Sequence, residues 1–181
     1  MTTLDRTANL LGALLGALDD RISDGLALDQ IECSSDLAAL NLISQNPGMS
    51  GRDLRPLLGL SQSSVARLVD RLESKGLLVR EKVEADQRQS ALTVPGTASR
   101  RVSKIVGRRM GILRYTLGGL SEQQVPVLEH MLEMLLSGLT ESRLQAEQIC
   151  RYCDGQSCPL ETCPVEIKAR SVEGQTLGGT N

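Results

Sequence analysis

The chain is nearly devoid of aromatic side chains: its 181 residues include no Phe, no Trp, and only two Tyr, Tyr115 and Tyr152. The core must therefore be built from Leu, Val, Ile, Ala and Met. That suits helices packed on helices and not a β-sandwich, whose strands favour aromatic and β-branched residues. The same scarcity excludes single-strand binding by base stacking, which needs aromatic platforms. Histidine is limited to His130, which has no partner motif and reads as a surface residue of a helix. With no nucleophile–base pair and no Gly-rich phosphate loop, the chain does not read as an enzyme. No apolar run approaches the roughly 18 residues of a membrane span, so no membrane partner is expected. The start, Met1 to Arg6, lacks the basic stretch and cleavage site of a signal peptide, and a cytoplasmic location is expected.

Net positive charge is also lacking, the formal balance being −2, but the charges are unevenly placed. Between Ser61 and Met110 there are 11 Lys and Arg against 5 Asp and Glu, while the rest of the chain has 9 against 17. A basic middle between acidic flanks fits one DNA-facing surface on a body that otherwise repels DNA. Within that middle, Arg100, Arg101, Lys104, Arg108 and Arg109 share one helix; they either touch phosphates or offset the acidic flanks.

The apolar pattern is helical over most of the length. Leu4, Ala8, Leu11, Leu15, Leu18 and Ile22 form one stripe, widened by Leu10 and Leu14, that predicts a helix packing on a partner subunit or on the C-terminal helix. A second helix is predicted over Ser35–Ser44, with Leu37, Leu40 and Ile43 inward, ended by Asn46-Pro47-Gly48. Ser50 and Asp53 fit a capping box for a short helix that buries Leu54, Leu57 and Leu58, contains the helix-disrupting Pro56, and breaks at Gly59. Ser61 caps the next helix, which ends at Gly76 with Val65, Leu68, Val69 and Leu72 inward. Its opposite face carries Gln62, Ser63, Arg67, Asp70 and Arg71. Two strands, Leu77–Val83 and Ala91–Val94, flank a polar tip at Glu84–Gln89. A basic helix follows from Gly96 to about Leu117. The last long helix is capped by Ser121, with Gln124 as its capping-box partner and Val125, Leu128, Met131 or Leu132, Leu135 and Leu139 on its buried stripe. From Lys168 the chain turns polar and Gly-rich and reads as disordered.

Two short helices, a tight turn and a hairpin make a winged helix-turn-helix. A helix fits the major groove, where polar side chains at its start reach base edges, and an Arg on a thin hairpin tip can enter the minor groove. The stretch Leu54 to Leu77 resembles the paired DNA-reading helices of the MarR family, and Asp86-Gln87-Arg88 resembles that family's Asp-x-Arg wing. The order of helices from Leu4 to about Ile149 is similar too. The resemblance implies a mainly α fold, a winged helix-turn-helix with long N- and C-terminal dimerisation helices, and a homodimer on double-stranded DNA. Gln62, Ser63, Ser64 and Arg67 would then face the major groove with Arg71 beside them, and Arg88 would enter the minor groove with Asp86 holding the wing. The implied organisation is a dimerisation helix at 1–33, the winged helix-turn-helix at 34–97, dimerisation helices at 98–149, a cysteine loop at 150–164 and a disordered tail at 165–181.

The loop is not part of that resemblance. Four of the five cysteines, Cys150, Cys153, Cys158 and Cys163, follow the spacing C-x2-C-x4-C-x4-C. In a reducing compartment such crowding points to metal or redox chemistry rather than structural disulfides. Four thiolates suit structural zinc or an iron–sulfur cluster. A contiguous loop with Pro after two of its cysteines is closer to cluster loops than to the paired knuckles of a zinc ribbon. The expected activity is a transcriptional regulator whose operator binding is controlled by an iron–sulfur cluster. The alternatives are a ligand-responsive regulator with structural Zn2+, thiol switching, or an electron-transfer or cluster-carrier protein. Tyr152 inside the loop either shields such a centre or simply packs. Cys33, alone between helices, is expected to be a buried, inert thiol.

Overall fold

The computed structural model describes residues 2–82, 90–155 and 157–178. Its elements run α1 (Thr3–Ala27), α2 (Ser34–Gln45), β1 (Met49–Ser50), α3 (Gly51–Leu58), α4 (Gln62–Ser74), β2 (Val79–Lys82), β3 (Ser90–Thr93), α5 (Ser99–Leu117), α6 (Gln124–Gly138), α7 (Arg143–Cys150) and α8 (Pro164–Gly178). The fold is mainly α with one small sheet, as the periodicity predicts.

Local chemistry sets the boundaries of the reading-head helices. Asp53 N–H donates to Ser50 Oγ at 3.3 Å and Ser50 N–H to Asp53 Oδ2 at 2.8 Å, the reciprocal capping box that starts α3. Gly59 ends α3 at φ 64°, a left-handed conformation that costs glycine little. Ser64 N–H donates to Ser61 Oγ at 3.2 Å to start α4, and Gly76 follows that helix at φ 65°. Pro56 is tolerated because α3 is only 8 residues long and the N–H that proline lacks would have served one bond near its end.

The main core lies between α2, α3, α4, α5 and the sheet. Leu37, Leu40, Ile43, Leu54, Leu68, Leu72, Leu77, Leu78, Leu92 and Ile105 are essentially fully buried there. The sheet has the order β1-β3-β2, all antiparallel, with Met49 opposite Leu92 and Val79 opposite Thr93. Strand β1 is too short to show as an alternating run and was not foreseen; it forms because the chain entering α3 lies along the inner edge of the hairpin. A second, smaller core joins α6, α7 and α8 through Ala146, Cys163, Val165 and Ala169, with Leu136 and Ile149 packed beside them.

Three expectations are corrected. First, the tail read as disordered from 165 is helix α8 as far as Gly178. Of its apolar residues Val165 and Ala169 are buried while Ile167 stays half exposed, and Arg143 on α7 fastens Glu166 at 2.5 Å and Glu173 at 2.9 Å. Composition hid this helix because ion pairs and small residues anchor it rather than an apolar stripe. Second, the stripe of α6 is not covered within the chain: Met131, Leu135 and Leu139 are 55–60% exposed. Helix α6 also begins at Gln124, so Ser121 supplies only half a capping box, its N–H donating to Gln124 Oε1 at 2.9 Å. Third, Cys33 is exposed, not buried, at the N-cap position of α2. The N-terminal stripe behaves like that of α6: α1 packs on α5, yet Leu4, Leu10 and Leu15 remain 54–77% exposed. Among the described residues no helix is long and apolar enough to cross a membrane.

Candidate DNA interface and cysteine centre

Helix α4 separates its two faces cleanly. Val65, Leu68, Val69 and Leu72 are buried, while Gln62, Ser63 and Arg67 are exposed and Ser64 is half-buried at the rim. Hydroxyls crowd its first turn, Ser61 Oγ lying 3.1 Å from Ser63 Oγ and 2.9 Å from Ser64 Oγ, with Arg67 Nη2 donating to Ser64 Oγ at 3.4 Å. The free N–H groups and positive dipole of a helix start favour an anion at this end. A recess of about 420 Å³ between α3, α4 and the base of the hairpin is lined by Arg52, Arg55, Gln62 and Arg80. Arg52 and Arg55 are exposed on one side of α3 and were missed in the sequence, where only spacing i, i+3 on a short helix marks them. Arg80 is tied across to α4, 2.5 Å from both Asp70 and Glu73.

Arg71, expected beside the groove-facing residues, has an internal partner instead. Its guanidinium turns from α4 toward α2, onto Asp36, which is fully buried, and Glu32. The Asp36 carboxylate holds the Arg71 charge even more firmly than usual. Asp86 and Arg88, the expected wing contacts, lie outside the described residues. Part of the basic run of α5 pairs within the chain while staying at the surface: Arg108 Nε donates to Asp29 Oδ2 at 2.7 Å, Lys104 lies 3.9 Å from Asp29, and Arg101 donates to the Asp29 carbonyl at 3.4 Å. These residues hold the end of α1 and offset its acidic charge. Arg108 in turn keeps Asp29 ionised to lower pH than an ordinary carboxylate.

The cysteine loop is drawn together by its two flanking helices. Cys150 is the last residue of α7, Pro164 the first of α8, and Cys163 is buried between them. Cys150 and Cys158 pack beside buried Cys163 in the small core, and the Cys150 and Cys153 thiols act on each other. Hydrogen bonding from Cys150, with help from the charge of Arg109, lowers the Cys153 thiol to about 7. The bond to Cys153 and burial push Cys150 up, and burial with Cys163 as neighbour pushes Cys158 up to about 11. All four are free thiols, and among the described residues no group of three or more His, Cys, Asp or Glu side chains stands ready-made around a metal position. The donor set itself suits a thiolate-loving centre by its chemistry: four thiols within one short loop, one of them, Cys153, already inclined to ionise near neutrality, with the Asp154 carboxylate beside it opposing that ionisation. Over the loop, the Arg109 and Arg151 guanidinium groups stand 5.2 Å and 4.8 Å from the Tyr152 ring centre. A cavity of about 650 Å³ opens beside Tyr152, between α2 and α5. His130 is on the surface as expected, 73% exposed and 3.9 Å from Glu133.

Helix-turn-helix, hairpin and long outer helices together define a winged helix-turn-helix protein. Residues 34–89 match the family model described as MarR family. The chain is 37% identical over 73 residues to a putative transcriptional regulatory protein for the hcr operon of Thauera aromatica, spanning 39% of this chain and 44% of that protein. It is 39% identical over 67 residues to the HTH-type transcriptional regulator YcgE of Bacillus subtilis, spanning 37% of this chain and 43% of that one. The matched region thus spans less than half the length of either relative. Over a greater length the fold is that of a MarR family protein from Bacillus stearothermophilus, at a TM-score of 0.66 and 22% identity over 77% of this chain and 99% of the other. The YusO protein from Bacillus subtilis is similar, at a TM-score of 0.65 and 17% identity over 75% of this chain and 97% of that one. The fold is the MarR winged helix-turn-helix, followed here by α8 and the cysteine loop that precedes it.

Proposed function

We propose that the chain is a MarR-type transcriptional regulator that binds double-stranded DNA as a homodimer. The observation that carries this reading is the two-sided α4: a fully buried apolar stripe fixes the helix, and Gln62, Ser63 and Arg67 project from its free face beside a recess lined by Arg52 and Arg55. Gln62, Ser63 and Arg67 would read base edges, and the α3 arginines would grip phosphates. The uncovered leucines of α1 and α6 supply the faces through which two chains would join, since apolar stripes of this extent are unusual on a monomer. Binding to labelled duplex DNA over a range of salt tests the reading. Steep salt dependence is expected, with a sharp loss of specific affinity in Arg67→Ala. Salt-insensitive or absent binding would refute it.

The cysteine centre is proposed as the control element: an iron–sulfur cluster held by Cys150, Cys153, Cys158 and Cys163, whose presence changes DNA affinity. What supports it is the gathering of four free thiols at the α7–α8 junction, with Cys150 and Cys158 packed beside buried Cys163, in a chain that otherwise has one cysteine, Cys33. When bound, a cluster supplies redox and iron sensitivity. The protein's own part is to supply thiolates and to bury Cys163, while Tyr152 packs against the main core. Protein purified without air and analysed for visible absorbance, iron and sulfide should be brown, with matched iron and sulfide. Colourless protein carrying about one zinc per chain would make the centre structural.

A further inference from the structure

The main chain of the cysteine loop is held by the reading head of the same chain. The Cys153 carbonyl accepts from Gln45 Nε2 at 3.0 Å and from Asn41 Nδ2 at 3.1 Å. Asn41 Nδ2 also donates to the Arg151 carbonyl at 3.0 Å, and Gln45 Nε2 to Asn41 Oδ1 at 2.9 Å. Two amides one turn apart on α2 thus form a single bracket around residues 151–153. Asn41 is buried, only 3% exposed, in a helix whose neighbours in the core are apolar, so its amide is paid for by these bonds alone. A second tether leaves α7 just before Cys150: Gln148 Nε2 donates to the Pro56 carbonyl of α3 at 2.8 Å. That carbonyl also accepts the Gly59 N–H at 3.3 Å, at the turn leading into the cap of α4.

We propose that Asn41, Gln45 and Gln148 form an amide relay that passes the state of the four-cysteine centre to the α3–α4 reading head within one chain. The relay rests on the reading of those cysteines as a metal or cluster site. Loading draws four sulfur atoms to within about 2.3 Å of metal. Cys150 is the last residue of α7 and Cys153 lies in the bracketed segment, so a change in the spacing of their sulfur atoms bears on the end of α7 and on the 151–153 backbone. That backbone is bonded to α2, and α7 is bonded to α3, so both helices beneath α4 follow. The route is distinct from a change in spacing at a dimer interface, because every bond in it joins residues of the same chain. The Pro56 carbonyl is the point where the α7 tether meets the turn.

The test uses the full chain, reconstituted without air with ferrous iron and sulfide, and a duplex selected from a random pool by either form of the wild-type protein. Gln45→Leu/Gln148→Leu removes both outer donors at positions where the polar end is at or near the surface, and Asn41→Leu is then added. The loaded and metal-free wild-type proteins are expected to differ about tenfold in DNA affinity. That ratio should fall at least about threefold in the double variant and approach unity in the triple variant, with iron content and melting temperature of the double variant close to wild type. A wild-type ratio that survives in both variants overturns the relay alone. Loss of iron in the double variant also overturns it, because the amides would then build the centre rather than report its state. A wild-type protein that takes up no iron, or binds DNA equally with and without it, overturns the relay together with the reading beneath it.

Discussion

Arg71 Nη2 lies 2.5 Å from Asp36 Oδ1 and Arg71 Nε 3.2 Å from Asp36 Oδ2, closing a two-pronged pair between the reading helix α4 and α2. Asp36 is wholly buried, whereas Arg71 keeps about a quarter of its side chain in solvent, 26%. The pair therefore fixes the orientation of α4 on the head.

Removing the arginine strands a buried carboxylate. Arg71→Met is expected to destabilise the protein by about 2–4 kcal/mol in urea unfolding, somewhat under the loss seen on breaking fully buried pairs. Adding Asp36→Leu should recover most of that loss, since an apolar pair leaves no uncompensated charge. A single variant as stable as wild type would show that the pair does not hold α4.

The uncovered stripes of α1 and α6 make a prediction about assembly. Leu135→Glu and Leu11→Glu each place a carboxylate on a face that is 55% and 46% exposed in one chain. Neither substitution should unfold the chain, but each should shift sedimentation from dimer to monomer and weaken DNA binding by at least about tenfold, since two linked heads bind far more tightly than one. A wild-type protein that sediments as a monomer would count against the dimer at once.

The reading head was legible because each of its signals is local. Ser50, Asp53, Gly59, Ser61 and Gly76 are caps and turn residues whose chemistry is set within four positions, and the 3.6-residue spacing of Val65, Leu68, Val69 and Leu72 needs no partner to be seen. What sequence could not give is pairing at a distance. Arg71 looks like any exposed arginine until Asp36, 35 residues away, is placed against it. Helix α8 looks like a polar tail until Arg143 is set against Glu166 and Glu173. The apolar period of α6 predicted a buried stripe that stays exposed in the single chain, because a period cannot say whether the cover comes from the same chain.

Cysteine substitutions should divide sharply. Cys163→Ser removes a buried thiol, 5% exposed, that touches both Cys150 and Cys158, so iron uptake is expected to fall to background. Cys33→Ser should leave iron content unchanged, because Cys33 stands alone at the start of α2, with Arg71 Nη2 3.8 Å from its sulfur. Equal iron loss in both variants would mean that the loop is not the iron site.

Helix α8 should respond to acid before the reading head does, and the sign follows from its carboxylates. Hydrogen bonds from Arg143 hold both Glu166 and Glu173 below their ordinary value of 4.5. A carboxylate lowered in the folded state contributes its full stabilisation above the unfolded value and loses it as pH falls through the folded one. The anchorage of α8 is therefore complete at neutral pH and fails below about pH 4.5. Hydrogen exchange read on peptides from 164–174 should show little change between pH 8 and 6 once corrected for intrinsic rates, then rising exposure on further acidification. In Arg143→Ala the same peptides should exchange faster at neutral pH and lose most of the acid dependence, while peptides from α4 stay protected. Protection of α8 that survives in the variant would transfer its anchorage from the ion pairs to the burial of Val165 and Ala169.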